Sequence, residues 1–424
     1  MRNPIPIIAT LFIAVLTLFL MLRQAPKRVI PPVEIKLPPI LSVLGETPDW
    51  SKLNEFQHTI TRSDFETLLR DIFTTDDTWQ EFITIHDESA EILTSNDRTE
   101  TRFILHFAQP DQTLPAPRHW QTTASLPTPP ADKPLANLHI AIDPGHIGGE
   151  WAKIEGRWFQ IGDAKPVTEG DMTLQVAKIL KPQLEELGAK VSLVRSTPEP
   201  ITPFRPENLV ELAANDDSLT HPASLKLFTE KLFYRTAEIR ARAELVNQTL
   251  KPDLVLCLHF NADAWGDPAN PTLVPNNHFH VLLNGGYTAD EVRLADQRFE
   301  MLKKLLQRTH AEELIVSKSV AETFVKITNI PPFIYRSGAS NFRSIPDSPY
   351  LYARNLLANR LYDCPVIFME PYVMNSIPDY NRIQAGDYLG LREINGKYVP
   401  SIYQEYASAL AQGLAKHYGE ETED

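Results

Sequence analysis

The spacing of apolar and polar positions divides the chain into a few stretches of different character. Residues 4–22, "PIPIIATLFIAVLTLFLML", are apolar or neutral throughout, with Arg2 before them and Arg23, Lys27 and Arg28 after. About 20 such residues cross a bilayer core as a helix. The following "MLRQAPKR" offers no small-x-small cleavage site, so residues 1–28 are expected to be an uncleaved N-terminal transmembrane anchor, with a cleaved secretion signal as the alternative. Residues 29–43 are proline-rich and read as an extended stalk. From 44 to 108 the pattern predicts a small α+β domain. "SDFETLLRDIFT" carries a Ser-x-x-Glu capping box and spaces Phe65, Leu68, Leu69 and Ile72 helically, and "EFITIHDES", "AEILTS" and "TRFILHFA" read as short strands. Residues 109–135 are rich in Pro and Thr, lack apolar periodicity and form a second linker.

Beyond residue 136 strands and helices alternate. "ANLHIAID", "AKVSLVR", "PDLVLCLHF", "HFHVLLN" and "CPVIFME" are strands, and "DMTLQVAKILKPQLEELG" is a helix stopped by Gly188. The third strand is apolar on both faces, as a central strand should be. The expected fold class is α/β, with a mainly parallel (mixed) sheet sandwiched by helices over residues 136–424.

Composition narrows the function classes. Apolar residues make up 43% of the chain and charged residues 22%, which suits a protein with a buried core. The net charge of −13 argues against nucleic acid as the main partner, because phosphate binding needs a basic surface. The two cysteines, Cys257 and Cys364, lie in apolar runs and read as buried thiols.

Open α/β sheets bind ligands at the carboxyl ends of their strands. His146 follows the first strand in "AIDPGHIGGE", His259 ends the third in "LCLHFNAD", and Glu370 ends the last in "VIFMEPYVMNS". Glu169 opens the long helix, where Thr168 and Asp171 form a capping pair. Two imidazoles, one carboxylate and an open position describe a catalytic zinc site, and a second carboxylate nearby would act as general base. His278 and His280, two apart on one strand, face the same way and are a competing metal pair without an evident carboxylate partner.

Four stretches together, "IAIDPGHIGGE", "EGDMTLQVAKILKPQLEELGAKVSLVRS", "RAELVNQTLKPDLVLCLHFNA" and "CPVIFMEPYVMNS", resemble the zinc-dependent N-acetylmuramoyl-L-alanine amidases of the amidase-3 type, over residues ~137–418. The resemblance implies one zinc ion held by His146, Glu169 and His259, with Glu370 as catalytic base and Asn261 and Arg242 as candidate substrate-binding residues. Asn247 completes an Arg-x-x-x-x-Asn pattern with Arg242. The chain departs from the family in several places: the longer stretch between His146 and Glu169, containing "WAKIEGRWFQIGDAKP"; the expanded region between Arg195 and Arg242; Gly170 in place of a basic residue; and Pro371–Tyr372 in place of Gly-Phe. The insert is expected to act as a lid or a specificity wall, and Gly148 and Gly149 to let the backbone clear a bound substrate.

The implied activity is hydrolysis of the amide between N-acetylmuramic acid and the stem-peptide L-alanine of peptidoglycan. The alternatives are an inactive cell-wall binding or regulatory module of the same fold, and a zinc peptidase cutting another stem-peptide bond. The expected location is the cell membrane, as a single-pass protein with its catalytic domain extracytoplasmic (periplasmic). Residues 44–108 are a candidate docking surface for a regulatory protein.

Overall fold

The computed structural model describes residues 40–95, 102–214, 221–336 and 338–419. The anchor expected at 1–28 and most of the stalk lie outside them. Among the described residues no helix is long and apolar enough to cross a membrane.

Three strands, β1 (Ile83–Ile85), β2 (Ser89–Leu93) and β3 (Arg102–His106), form an antiparallel sheet in the order β1-β2-β3. The preceding helix, Arg62–Leu68, begins two residues earlier than its Ser-x-x-Glu signal suggests. Its cap is Thr61, whose hydroxyl accepts from the Asp64 N–H at 3.2 Å. The apolar faces of these elements share a core with Tyr287, Val292, Met301, Leu302, Leu305 and Leu306, the last four on or beside the helix Ala295–Gln307. Residues 44–108 and the larger sheet therefore belong to one compact unit.

The central sheet is mixed, with strands drawn from residue 139 to residue 371. They are β4 (His139–Pro144), β7 (Lys190–Leu193), β8 (Leu254–Leu258), β9 (Phe279–Leu283), β10 (Arg343–Ser344), β11 (Leu351–Ala353) and β12 (Val366–Pro371). The intervening β5 (Trp158–Phe159) and β6 (Val167–Thr168) pair only with each other, and β13 (Arg392–Ile394) with β14 (Lys397–Val399). The order is β10-β11-β9-β12-β8-β4-β7. Strands β7, β4, β8 and β12 are mutually parallel, and β9 runs antiparallel to β12.

Alternation along each strand assigns the two faces. Ile140, Ile142, Leu254, Leu256, Leu258, Ile367 and Met369 pack into one core with the helices Glu169–Glu186, Thr309–Thr328 and Ile402–Gly419. Ala141, Val255, Cys257, Val366 and Phe368 pack into another with Ala243, Val246, Ala358 and Tyr362. The sheet is covered on both faces, which is why its central strands carry almost no polar side chains. Both cysteines are buried free thiols.

Candidate metal centre

Register puts the site together. Pro144 and Met369 each lie opposite Leu258 across the two ladders, so the next residues, Gly145, His259 and Glu370, stand side by side at the carboxyl edge of β4, β8 and β12. His259 and Glu370 emerge on the face that carries Phe368. The His259 ring stacks on Phe368 (centroids 4.4 Å, planes 13° apart) and meets the His146 ring edge-on at 4.9 Å.

His146 sits in the turn after β4 with φ +60°, the left-handed region that a non-glycine residue occupies only when its surroundings hold it there. Arg242 supplies that hold. Its guanidinium is buried and donates to Pro144 O (2.8 Å), His146 O (2.7 Å) and Asp143 Oδ1 (2.8 Å), and its Nε donates to Glu238 Oε1 (2.7 Å). Burial opposes its charge, but Asp143 and Glu238 more than offset that and raise its pKa further. Asp143 is also held by the Tyr362 hydroxyl, which donates to Oδ2 at 2.5 Å. Arg242 was expected at the substrate. It lies instead beneath the turn as a positioning residue, because four of its five donors are taken up by two carboxylates and two carbonyls. Asn247 is likewise structural, exchanging bonds with Leu361 O (2.8 Å) and the Asp363 N–H (2.9 Å).

Glu169 opens the helix Glu169–Glu186, where the positive helix end favours a carboxylate. Thr168 is the N-cap, but its side chain caps no helix N–H as the sequence suggested; Thr168 Oγ1 donates instead to Asp171 Oδ2 at 2.7 Å. Asp171 also accepts from the Gly149 N–H, and a Cβ on Gly148 would fall 2.2 Å from Asp171 Oδ1. Gly148 therefore serves the docking of helix against turn rather than the clearance of a substrate. Arg195 joins the same junction and donates to Gly170 O at 2.7 Å.

Glu169 lies between the two imidazoles. Its Oε2 is 3.2 Å from His146 Nε2, and its Oε1 is 3.2 Å from His259 Nδ1 and accepts from the Phe260 N–H at 3.1 Å. Ligand atoms of His146, Glu169 and His259 all lie within 4.8 Å of one another, and among the described residues this is the group able to hold a metal ion. Donors on a tetrahedral zinc ion at about 2.0–2.1 Å are separated by about 3.4 Å, so two imidazole nitrogens and one carboxylate at this spacing fit zinc. In the metal-free site burial disfavours every charge. Even so, the mutual pairing raises the His146 pKa to about 9 and holds Glu169 well below the usual carboxylate range.

Glu370 has no such partner. Burial pushes its pKa up, the nearby Glu169 carboxylate adds to the rise, and the two imidazoles and Arg157 oppose it. A carboxylate with a raised pKa beside a metal-ready cluster is a stronger base than an ordinary one, which suits it to accepting a proton.

The other sequence candidates fall around this cluster. Asn261 lies two residues beyond His259, half-buried, with its Nδ2 3.4 Å from His280 Nδ1. His278 and His280 share a face as expected, and His280 is directly opposite Glu370 across the ladder. They do not join the metal cluster. His280 stacks on Phe333 at 4.7 Å, and burial, with help from His278, lowers its pKa to about 3. Tyr372 has φ +60°, a conformation that favours glycine, and it is secured by its hydroxyl bond to Glu405 Oε1 (2.8 Å).

Two residues of the insert went unassigned in the sequence. Glu155 is buried, with Oε2 accepting from the Ile147 N–H at 2.8 Å and Oε1 3.6 Å from His146 Nδ1. Arg157 Nε is 3.1 Å from Glu169 Oε2 and 3.4 Å from His146 Nε2. The sequence signal was faint: two charges of opposite sign amid the aromatic residues of "IEGRWF".

Residues 140–331 match the family model of the N-acetylmuramoyl-L-alanine amidases. The likeness to this family covers that stretch, a little under half of the chain. The matched stretch contains His146, Glu169 and His259, and Glu370 lies beyond its end. Among solved structures, the amidase shares 15% identity with the N-acetylmuramyl-L-alanine amidase Ami1 from Mycobacterium abscessus, over 66% of this chain and 99% of that one, with a TM-score of 0.34. The amidase AmiC2 of Nostoc punctiforme is 15% identical over 66% and 96% of the two chains, with a TM-score of 0.35. The CwlD amidase from Clostridioides difficile, in complex with the GerS lipoprotein, is 14% identical over 66% and 98%, with a TM-score of 0.34. No curated protein matches the chain. The amidase acts on peptidoglycan.

Proposed function

We propose that this amidase is zinc-dependent and cleaves the amide between N-acetylmuramic acid and L-alanine, with His146, Glu169 and His259 holding one zinc ion and Glu370 as the catalytic base. The convergence of the three donor groups within 4.8 Å beside Glu370 carries this reading. When bound, zinc supplies Lewis-acid chemistry, lowering the pKa of water and polarising the scissile carbonyl. The Glu370 carboxylate takes a proton from the attacking water and returns it to the leaving L-alanine nitrogen. His259 is kept in place by stacking on Phe368, and His146 by the Arg242 bonds to its turn, so neither ligand has to be ordered during turnover.

The apolar run at 4–22 with its basic flanks supports a membrane anchor. Peptidoglycan lies outside the cytoplasm, which supports an extracytoplasmic (periplasmic) catalytic region with the N-terminus inside.

The test combines metal analysis of the purified protein with mass spectrometry of muropeptide digests. One equivalent of zinc and release of peptides beginning with L-alanine are expected. Absence of zinc would overturn the metal assignment. Products cut within the stem peptide would favour the zinc peptidase, and zinc without any product the inactive module.

A further inference from the structure

The insert between His146 and Glu169 contributes two side chains of opposite charge to the metal centre. Glu155 reaches it from the turn after the short helix Trp151–Ile154, and Arg157 comes immediately before β5. Neither belongs to the ligand set, and each faces one nitrogen of the same histidine.

Glu155 faces Nδ1. Its side chain is 3% exposed, with Oε2 anchored on the Ile147 N–H at 2.8 Å and Oε1 3.6 Å from His146 Nδ1. At 3.6 Å the contact is ionic rather than a hydrogen bond, and a negative charge beside Nδ1 favours a proton on that nitrogen, leaving Nε2, which faces Glu169, as the ligating atom. A histidine whose other nitrogen donates to a carboxylate is fixed in tautomer and orientation as a metal ligand.

Arg157 faces Nε2. Its Nε–H donates to His146 Nε2 (3.4 Å), and its Nε lies 3.1 Å from Glu169 Oε2, both atoms that a metal ion would take. The single Nε2 lone pair cannot serve a guanidinium N–H and a divalent cation at once, and the two positive charges repel beside Glu169. The Arg157 side chain is 36% exposed, so it has a route into solvent. Unlike Arg242, it makes no bond that would bury it.

We propose that the insert sets metal loading in two opposing ways: Glu155 presets His146 for the metal, and Arg157 holds the donor atoms and must be displaced by it. This rests on the zinc reading above. It makes the insert part of the metal centre rather than only a wall over it.

Zinc affinity of the full chain, purified in a mild detergent and stripped by a chelator, tests both halves through competition with a chromogenic chelator. In Glu155→Gln the amide oxygen can still accept from Ile147 while the NH2 group faces Nδ1, which drives the ring proton to Nε2. Zinc binding is then expected to weaken about 10- to 100-fold. At a pH above about 9, where the His146 ring of the metal-free protein is neutral, its 15N shifts should move from the Nδ1–H towards the Nε2–H form. Arg157→Ala is expected to bind zinc more tightly than the parent, with Arg157→Lys in between. Unchanged affinity and unchanged ring shifts in Glu155→Gln would overturn the first half. Weaker binding in Arg157→Ala, as for a merely structural insert, would overturn the second, and this arm stands even if Glu155→Gln folds poorly. A parent protein that binds no zinc overturns the metal centre itself, a result distinct from either.

Discussion

Gly145 lies flat against the His259 ring. A Cβ built on it would fall 2.3 Å from His259 Cε1 and 2.5 Å from Nε2. The Gly145 N–H donates to Leu258 O at 2.8 Å, and its carbonyl accepts from Thr173 Oγ1 at 2.7 Å, so the backbone there cannot retreat. The imidazole would have to move instead, away from its stack on Phe368. Gly145→Ala should therefore cost about 1–3 kcal/mol of stability and lower zinc affinity together. Chemical denaturation and metal titration check this. A variant with parental affinity would show that His259 is free to move without leaving the ligand set.

Glu370 has a different kind of importance. It makes no ion pair that holds the fold, and its neighbours His259 and Met369 are fixed by the backbone ladder. Glu370→Gln keeps the shape and removes the proton acceptor. Turnover of muropeptide should fall by about 10²- to 10⁴-fold while zinc content stays at the parental level. Loss of zinc in this variant would instead make Glu370 a ligand.

Arg242 predicts the reverse pattern. Removing it leaves Asp143 and Glu238 buried without a counter-charge and frees the carbonyl of His146. Arg242→Ala should destabilise the protein by about 3–5 kcal/mol, the usual result of breaking one side of a buried pair. The surviving folded fraction should bind zinc weakly, because the left-handed turn at His146 loses its clamp. Urea denaturation of Arg242→Ala beside Arg157→Ala separates the two arginines, since the half-exposed Arg157 should have little effect on the midpoint.

The parts of this architecture visible in the sequence were those set by backbone periodicity. Apolar strands such as "LVLCLHF" could only be central, and parallel register then brought the residues after β4, β8 and β12 to one edge. That placed His146, His259 and Glu370 together. What lay hidden depended on side-chain reach across long sequence separations. Arg242 looked like a residue on a solvated or substrate-facing helix surface, because nothing in "RAELVNQ" says that Asp143, 99 positions away, is its partner. Glu155 and Arg157 lay in a stretch without strong periodicity, whose fold is set by a two-residue pairing of β5 with β6. The shared core between residues 44–108 and the helix Ala295–Gln307 was equally invisible, since both segments are amphipathic and either could have found another partner.

Just beyond β12 a buried acid is expected to make stability depend on pH. Asp379, in the first turn of the helix Ile377–Ala385, accepts from the Val373 N–H at 3.0 Å. Burial raises its pKa to about 6, against the opposing pull of that N–H and of Arg382. Its folded pKa lies above the unfolded one, so between the two the native state binds more protons than the unfolded chain. The associated stability is fully present below the unfolded pKa and is lost as pH rises through about 6. The loss by neutral pH is on the order of 2–3 kcal/mol. Asp379→Asn keeps an oxygen for Val373 and never ionises. Its stability relative to the parent should therefore grow between about pH 4 and pH 6 and level off from there to about pH 8. Urea midpoints measured for both proteins across that range check the sign. A difference that stays flat with pH would mean that Asp379 is charged in the folded state throughout.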